Sequence, residues 1–199
     1  MYRGIRMKNL IIVVEGPDNV GKSTLINNLR NTFNNIAFQI VHYSSAPVSG
    51  VNNTIDYNTR MYRSMFDMMK AVSKEEYTGI ICDRSHLGEM VYGPIYRGYS
   101  GEYVLDIEKK YMDIPSIWDN LFLITLYDEP ENVISRDDGL SFSTDIRIKR
   151  EEIKNFINAH DKSNIKNKLL LNIKNHDADA VLNEVLTFIN IGYEVEDAA

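Results

Sequence analysis

Residues 10–24, LIIVVEGPDNVGKST, contain the pattern that decides the fold. Residues 10–14 are all apolar, which predicts a strand buried on both faces. Residues 16–23 fit G-x-x-x-x-G-K-[ST], a loop whose backbone N–H groups surround phosphate oxygens. Apolar residues then recur at helical spacing, at Leu25, Ile26, Leu29 and Phe33. The loop therefore stands between a strand and a helix, and we predict a triphosphate site there.

The residue types in this loop suit an anion. Gly16 and Gly21 allow the backbone to curl tightly, and Lys22 supplies a positive charge for the outer phosphates. The hydroxyl of Ser23 is a ligand for Mg²⁺, which prefers oxygen atoms. The helix that follows directs its amides and partial positive charge to the same place. The predicted triphosphate-binding residues are Gly16, Asp18, Asn19, Val20, Gly21, Lys22, Ser23 and Thr24.

Length and composition limit the class of protein. A chain of 199 residues with 44% hydrophobic and 25% charged residues is typical of one globular domain, here residues 1–199. The net charge of −6 disfavours a general nucleic-acid-binding surface, although a local basic groove stays open. The single cysteine, Cys82, excludes an internal disulfide. No apolar run approaches the ~20 residues of a membrane span, and we expect a cytoplasmic protein without a membrane partner.

Strand and helix patterns alternate along the chain. Strands are predicted at residues 10–14, 37–42, 78–82, 121–127 and 169–173. Helices are predicted at residues 22–33, 54–74, 102–113, 145–161 and 178–190, with another opening at residues 129–131. Residues 1–8 are expected to be a lead-in, 48–53 a turn, and 194–199 a frayed acidic tail. This alternation predicts the α/β class: a P-loop NTPase with three α/β/α layers around a five-stranded parallel sheet.

One helix carries a methionine stripe. Met61, Met65, Met68 and Val72 recur at helical spacing within residues 54–74. Such a stripe is more typical of a core or a dimer surface than of a cofactor site.

Asp83 and Arg84 directly follow the third predicted strand. Ligands of open α/β sheets bind at the carboxyl ends of the strands. Asp83 therefore suits a magnesium ligand or a proton acceptor, and Arg84 suits a clamp on phosphate oxygens. The competing interpretation, a surface ion pair, is less favoured here because a phosphate-binding loop is present.

A second basic group flanks the glycine-containing break at residues 137–143. We predict a small lid around residues 137–150 that brings cations over the transferring group. Arg136 precedes the break, and Arg147, Lys149 and Arg150 follow it. A solvated basic helix face explains the last three equally well. The four histidines are scattered, and none is spaced for a metal site.

Four stretches together resemble the thymidylate kinase branch of the P-loop nucleoside monophosphate kinases, and more loosely its phage-encoded relatives. The first, VEGPDNVGKST, has the internal aspartate of the family's E-G-x-D-x-x-G-K-S-T. The second is Asp83-Arg84 with Tyr92 after it, and the third runs from Leu126-Tyr127 through Pro130-Glu131 to Arg136. The last fifty residues match the family's closing helix, strand and helix.

The resemblance implies a phosphotransferase that uses ATP and Mg²⁺. Asp18 would place the acceptor sugar and organise the arginine clamp, Arg84 would hold the acceptor phosphate, and Arg136 would act from the lid side. Arg63 matches the arginine that reads the pyrimidine edge, with Tyr92 and Tyr43 as aromatic surface for the base. The implied catalytic residues are Lys22, Asp18, Asp83, Arg84 and Arg136; the metal ligands are Ser23 and Asp83; and the acceptor residues are Arg63, Tyr92, Tyr43 and Arg84.

Several departures concern the acceptor pocket. Ser85 replaces an aromatic residue, and Thr59 stands where a base-stacking phenylalanine is usual. Gly88 and Gly93 leave room around the base, enough for a 5-substituent larger than methyl. The resemblance implies a thymidylate-like deoxypyrimidine nucleotide as acceptor and is compatible with a homodimer.

Two other interpretations stay open. The acceptor is alternatively a deoxynucleoside, as Asp-Arg-Ser is similar to the Glu-Arg-Ser of deoxynucleoside kinases, or a modified base within DNA. A nucleotide-binding switch is less favoured because the sequence lacks the Asn-Lys-x-Asp motif of guanine switches; Asn167-Lys168 is followed by leucines.

Overall fold

A computed structural model describes residues 9–43 and 50–196, without the side chains of Val51 and residues 191–196. The predicted lead-in at residues 1–8, the first part of the predicted turn at 48–49 and the tail at 197–199 lie outside the described residues. The rest of the predicted turn, residues 51–53, is helical, and residues 194–196 continue the last helix.

Five parallel strands form one sheet in the order β2-β3-β1-β4-β5. The strands are β1 (Asn9–Glu15), β2 (Ala37–His42), β3 (Thr78–Asp83), β4 (Leu121–Tyr127) and β5 (Asn167–Asn172). All five were predicted, and their bounds differ from the prediction by at most two residues. The parallel α/β fold class is confirmed.

The central strand β1 supplies two separate cores, because successive side chains of a strand point to opposite faces. Leu10, Ile12 and Val14 pack against the helices α1 (Lys22–Thr32) and α8 (Ala178–Glu196). Ile11 and Val13 belong to the other core, with α2 (Val51–Val72) and α4 (Tyr103–Lys109). Both faces of the sheet are therefore covered, which explains the continuous apolar run of β1.

The connections differ from the prediction in two places. Residues 87–97, where no helix was predicted, form α3 (Leu87–Tyr92) and a π-helix (Gly93–Arg97). The helix predicted at residues 102–113 is shorter, and Pro115 begins a further helix, because proline fits the first helical turn. That helix is α5 (Pro115–Trp118); the remaining ones are α6 (Pro130–Ser135) and α7 (Ile146–Lys162).

The methionine stripe of α2 is largely core. Met65 and Met69 are fully buried, and Met61 is half-buried against the same core. Met68 points outward instead, with 37% of its surface exposed. Within the described ranges, no helix is both long and apolar enough to cross a membrane.

Candidate functional site

The loop between β1 and α1 has the backbone conformation of an anion cradle. Gly16 and Gly21 adopt φ angles of 139° and 85°, which favour glycine. A Cβ atom at Gly16 would collide with the carbonyl oxygen of Leu126 on β4. Asn19, at φ 61°, is the one residue of this loop that holds a left-handed conformation with a side chain. The loop thus packs against β4 while its far side opens into a cleft.

Lys22 lies folded against this loop. Its Nζ donates to the carbonyl oxygens of Gly16 at 3.0 Å and Pro17 at 2.6 Å. Burial, followed by repulsion from Arg84, lowers the pKa of Lys22 to about 7. The amino group of Lys22 thus lies against the loop that is suited to phosphate.

Ser23 and Asp83 both line the cleft, and their oxygens fit a magnesium ion. The Oδ1 atom of Asp83 is buried and has no hydrogen-bond partner among the described residues. Within the part of the chain that the structure describes, no cluster of three His, Cys, Asp or Glu residues could hold a metal by itself. Phosphate oxygens would have to supply further ligands, as is usual for Mg²⁺.

His42 approaches Asp83 from the neighbouring strand. The two residues are register partners at the ends of β2 and β3, and His42 Nδ1 lies 2.9 Å from Asp83 Oδ2. The imidazole is about half exposed and lines the cleft. This leaves Nε2 directed away from the pair and available to a ligand.

Arg84 is held in a rare backbone conformation, with φ 69°. Its guanidinium donates to Asp18 Oδ1, to the Tyr92 hydroxyl at 3.2 Å and to the Gly16 carbonyl at 3.3 Å. Asp18, Arg84 and Tyr92, all predicted site residues, therefore lie together at one end of the cleft.

Behind Arg84, two buried polar groups fix the turn after β3. Glu15 Oε1 accepts from the Ser85 amide at 2.7 Å and hydroxyl at 2.6 Å, which accounts for a serine at this position. Burial raises the pKa of Glu15, despite these bonds. His86 is fully buried and pairs with Glu108 Oε1 at 2.8 Å. His86 therefore ties the turn to α4 and does not face the cleft.

Of the four predicted lid cations, only Arg136 lines the cleft. It donates to Asp128 and, through Nε, to the Asn132 carbonyl at 3.1 Å. Lys149 is buried and bonds Glu152 at 2.6 Å, so it cannot reach a phosphate without leaving the core. Arg147 pairs with Asp145, and Arg150 with Glu131. These three side chains do not line the cleft, and for Arg147 and Arg150 the alternative of a solvated basic helix face fits. A lid that closes over the site stays a prediction.

Three cavities meet along the carboxyl edge of the sheet. The largest, about 540 Å³, lies on the loop, and we call it the phosphate cleft. A cavity of about 190 Å³, the tyrosine cavity, is lined by Tyr43, Tyr62 and Tyr92 and shares Asp18, His42, Arg84 and Leu140 with the cleft. On the other side, the Val20 cavity, about 140 Å³, shares Gly21, Thr24 and Arg136 with the cleft and extends to His176. The phosphate cleft therefore adjoins both of the other cavities.

The structure differs from the prediction at Arg63. Its side chain is exposed, it lines none of these three cavities, and its carbonyl accepts from the Tyr111 hydroxyl. One helical position turns a side chain by about 100°, so the inward face of α2 presents the buried Asn58 and Tyr62 instead of Thr59 and Arg63.

The two glycines near the tyrosine cavity have different roles. Gly88 lines the cavity, and a Cβ atom there would lie 3.8 Å from the Tyr92 ring and 4.0 Å from Glu15 Oε2. Gly93 faces the turn at Tyr99 instead, whose carbonyl oxygen would lie 3.1 Å from a Cβ atom. Only Gly88 therefore leaves room in the cavity.

Four residues that line the cleft or the tyrosine cavity were not predicted from the sequence: His42, Tyr62, Leu140 and Phe142. His42 had a usable signal, because it ends a strand as Asp83 does, but the pairing of those strands was not known. Tyr62 follows Met61 in the apolar stripe of α2, and its place at the cavity required the rotation of that helix. Leu140 and Phe142 lie in the predicted lid, for which only cationic site residues were predicted.

No protein-family model and no curated protein sequence matches this chain. Solved structures do match. The YorR protein of Bacillus subtilis in complex with phosphorylated GDP aligns with a TM-score of 0.65 at 15% identity, over 92% of this chain and 98% of that one. Thymidylate kinase of Ehrlichia chaffeensis gives 0.60 at 16% identity, over 90% and 98%. Thymidylate kinase of Candida albicans gives 0.57 at 12% identity, over 94% and 93%.

At these identities the likeness concerns the fold. The chain has the fold of the P-loop kinases that act on nucleotides, and the resemblance drawn from the four sequence stretches is confirmed at that level.

Proposed function

We propose that this protein is an ATP- and magnesium-dependent kinase that transfers the γ-phosphoryl group to a deoxypyrimidine nucleoside monophosphate, with a thymidylate-like acceptor preferred. The observation that carries the proposal is the phosphate cleft on the P-loop, which adjoins a separate cavity at each of two sets of shared residues. A phosphoryl transfer needs a donor and an acceptor aligned on either side of one phosphate site.

On the donor side, the Val20 cavity would take the adenosine end of ATP. Its walls are mainly apolar, with Arg136 at the border to the phosphate cleft. The P-loop amides and Lys22 would hold the outer phosphates, and Arg136 would add charge from the lid side. Ser23 and Asp83 would hold Mg²⁺, which supplies charge neutralisation for the transferring group.

On the acceptor side, Arg84 would bind the acceptor phosphate, because its guanidinium is already oriented into the cleft by Asp18 and Tyr92. Asp18 would contact the sugar. The tyrosine cavity would take the base, and its small volume favours one pyrimidine ring with a modest substituent beside Gly88.

The test is a transfer assay with the purified protein, [γ-³²P]ATP and Mg²⁺. The acceptors are the deoxynucleoside monophosphates, the deoxynucleosides and double-stranded DNA, each also with a 5-substituted pyrimidine. We expect the label in a deoxypyrimidine diphosphate. Label only in nucleosides or DNA would contradict the acceptor assignment, and no transfer to any acceptor would contradict the kinase assignment.

A second acceptor class is favoured by one observation, the pair of His42 with Asp83. A phosphate acceptor is already anionic and needs no base, whereas a hydroxyl acceptor must lose a proton as it attacks. An imidazole oriented by a carboxylate, at the border between the cleft and the tyrosine cavity, suits that task. The alternative is therefore a kinase of a deoxynucleoside or of a hydroxyl-bearing modified base.

Replacing His42 separates the two acceptor classes. In His42→Ala, transfer to a hydroxyl should fall by about 10²–10⁴-fold, the usual contribution of a general base. Transfer to a monophosphate should change by less than about tenfold. Met112→Ala removes an exposed side chain that lines none of the three cavities and serves as the control.

A further inference from the structure

Two exposed apolar side chains lie at the mouth of the tyrosine cavity. Leu140 is 85% exposed and Phe142 is 69% exposed, more than any other large hydrophobic residue in the described ranges. Both belong to the lid segment, residues 137–143 between α6 and α7, and both line the tyrosine cavity. Exposed apolar surface at a cavity is typical of a ligand-binding surface.

The lid segment is held in this position from two sides. Asn19 Nδ2, on the P-loop, donates to Asp137 Oδ1 at 3.0 Å and to Ser141 Oγ at 3.1 Å. The Phe142 ring lies 5.7 Å from the Tyr92 ring and 5.2 Å from the Tyr96 ring, between centroids. Its side chain is therefore placed over the cavity by the P-loop and by neighbouring rings, while most of the ring surface stays uncovered.

The cationic side chains that follow the lid segment point away from the three cavities, and Asp138 of the segment lines the phosphate cleft instead. Arg147 and Arg150 pair with carboxylates outside the three cavities, and Lys149 is buried with Glu152. The lid segment thus offers the tyrosine cavity apolar surface rather than positive charge. A flat, uncharged ring is the ligand group that suits two aromatic side chains and a leucine.

We propose that Phe142 and Leu140 are specificity-determining residues that bind the acceptor's nucleobase, with Phe142 stacking on the ring opposite the tyrosines. This inference rests on the proposed function, since it names the part of the acceptor that the lid recognises. The lid of this protein closes on the acceptor base, and Asn19 connects that closure to the donor's phosphate loop. The bound base covers the ring surface of Phe142 that is exposed in the ligand-free protein.

The first experiment is steady-state kinetics of Phe142→Ala and Leu140→Ala with the acceptor that the transfer assay identifies. One aromatic contact contributes about 0.5–1.5 kcal/mol, so the acceptor KM of Phe142→Ala should rise about 2- to 10-fold. The KM for ATP should stay within about twofold. Met112→Ala removes another exposed apolar side chain, outside these cavities, and should change neither constant. Equal changes in both KM values, or none, would overturn the inference.

The second experiment does not depend on turnover. Hydrogen exchange across residues 137–143 is measured with thymidine monophosphate, with ATP, and with 2-deoxyribose 5-phosphate, a control that lacks the nucleobase. We expect slower exchange with thymidine monophosphate than with the baseless sugar phosphate, and loss of that difference in Phe142→Ala. Protection by the baseless compound to the same extent, or by ATP alone, would overturn the inference. Failure of the transfer assay with this protection intact would count against the kinase proposal only.

Discussion

The phosphate cleft and the tyrosine cavity adjoin each other but are built in different ways. The cleft takes six of its lining residues from one continuous stretch, residues 18–24, and the groups it offers an anion are backbone amides, Lys22 and Ser23. The tyrosine cavity takes its walls from the P-loop, the end of β2, α2, the turn after β3, α3 and the lid segment. A charge-binding site can be made by one loop, whereas a shaped cavity needs side chains from several elements.

This difference predicts separable effects. Substitutions in the cleft should lower phosphoryl transfer to any acceptor, because they act on the charged phosphates of ATP, which every transfer shares. Changes in the tyrosine cavity should act on acceptor choice and leave the use of ATP intact.

The largest effect is expected at Lys22. Lys22→Ala removes the charge that the P-loop directs at the outer phosphates, and turnover should fall about 10²–10³-fold for every acceptor. The measurement is kcat with saturating ATP and acceptor, alongside the melting temperature. A folded Lys22→Ala protein with normal turnover would contradict the role of the loop.

Arg84 lies where the two regions meet, so its loss should affect the acceptor more than the donor. Charge-assisted hydrogen bonds contribute about 1.5–3 kcal/mol, and kcat/KM for a monophosphate should fall roughly 10- to 100-fold in Arg84→Ala. Arg84→Lys keeps the charge but loses the two-pronged geometry, so it should recover only part of that loss. Equal losses of kcat/KM for ATP and for the acceptor would contradict the division between the regions.

A smaller effect distinguishes two neighbours on α2. Tyr62 is buried at the tyrosine cavity and Arg63 is exposed outside it. Removing one neutral hydroxyl changes binding by about 0.5–1.5 kcal/mol, so Tyr62→Phe should raise the acceptor KM about 2- to 10-fold. Arg63→Ala should leave the KM unchanged. The reverse result would restore Arg63 as the residue that reads the base.

The two regions also differed in how far the sequence could predict them. The P-loop and the Asp83-Arg84 turn are local: their residues adjoin in the chain, and the strand before each one fixes where they lie. The five strands followed from apolar runs for the same reason. The His42–Asp83 pair required the order of β2 and β3, which no local pattern contains.

The prediction of acceptor-side residues depended on the rotation of each helix about its axis, which decides the face on which a side chain lies. Arg63 was chosen from spacing within the family pattern, and the structure places its side chain on the exposed face of α2, next to the buried Tyr62. Lys149 was chosen for its charge, but it pairs with Glu152 inside α7. That pair is buried, and Glu152 also accepts from Tyr96 of the π-helix, a tertiary contact that composition does not reveal. Long-range packing decided both positions.

The smallest expected effect is on the proton uptake that accompanies ATP binding, not on the rate of transfer. In the ligand-free protein, burial and the charge of Arg84 lower the pKa of Lys22 to about 7. Bound triphosphate places negative charge beside Nζ and raises that pKa, so the complex holds more protons than the free protein between pH 7 and the raised value. Affinity for ATP should therefore decrease as pH rises through this window.

At pH 8, one unit above the free pKa, roughly nine-tenths of Lys22 is neutral, and binding should take up close to one proton. Titration calorimetry in two buffers of different ionisation enthalpy measures this uptake. Lys22→Arg, which stays charged, should show no such uptake at pH 8 and gives the background from ATP itself. An uptake that is equal in the two proteins would mean that Lys22 is already protonated in the empty cleft.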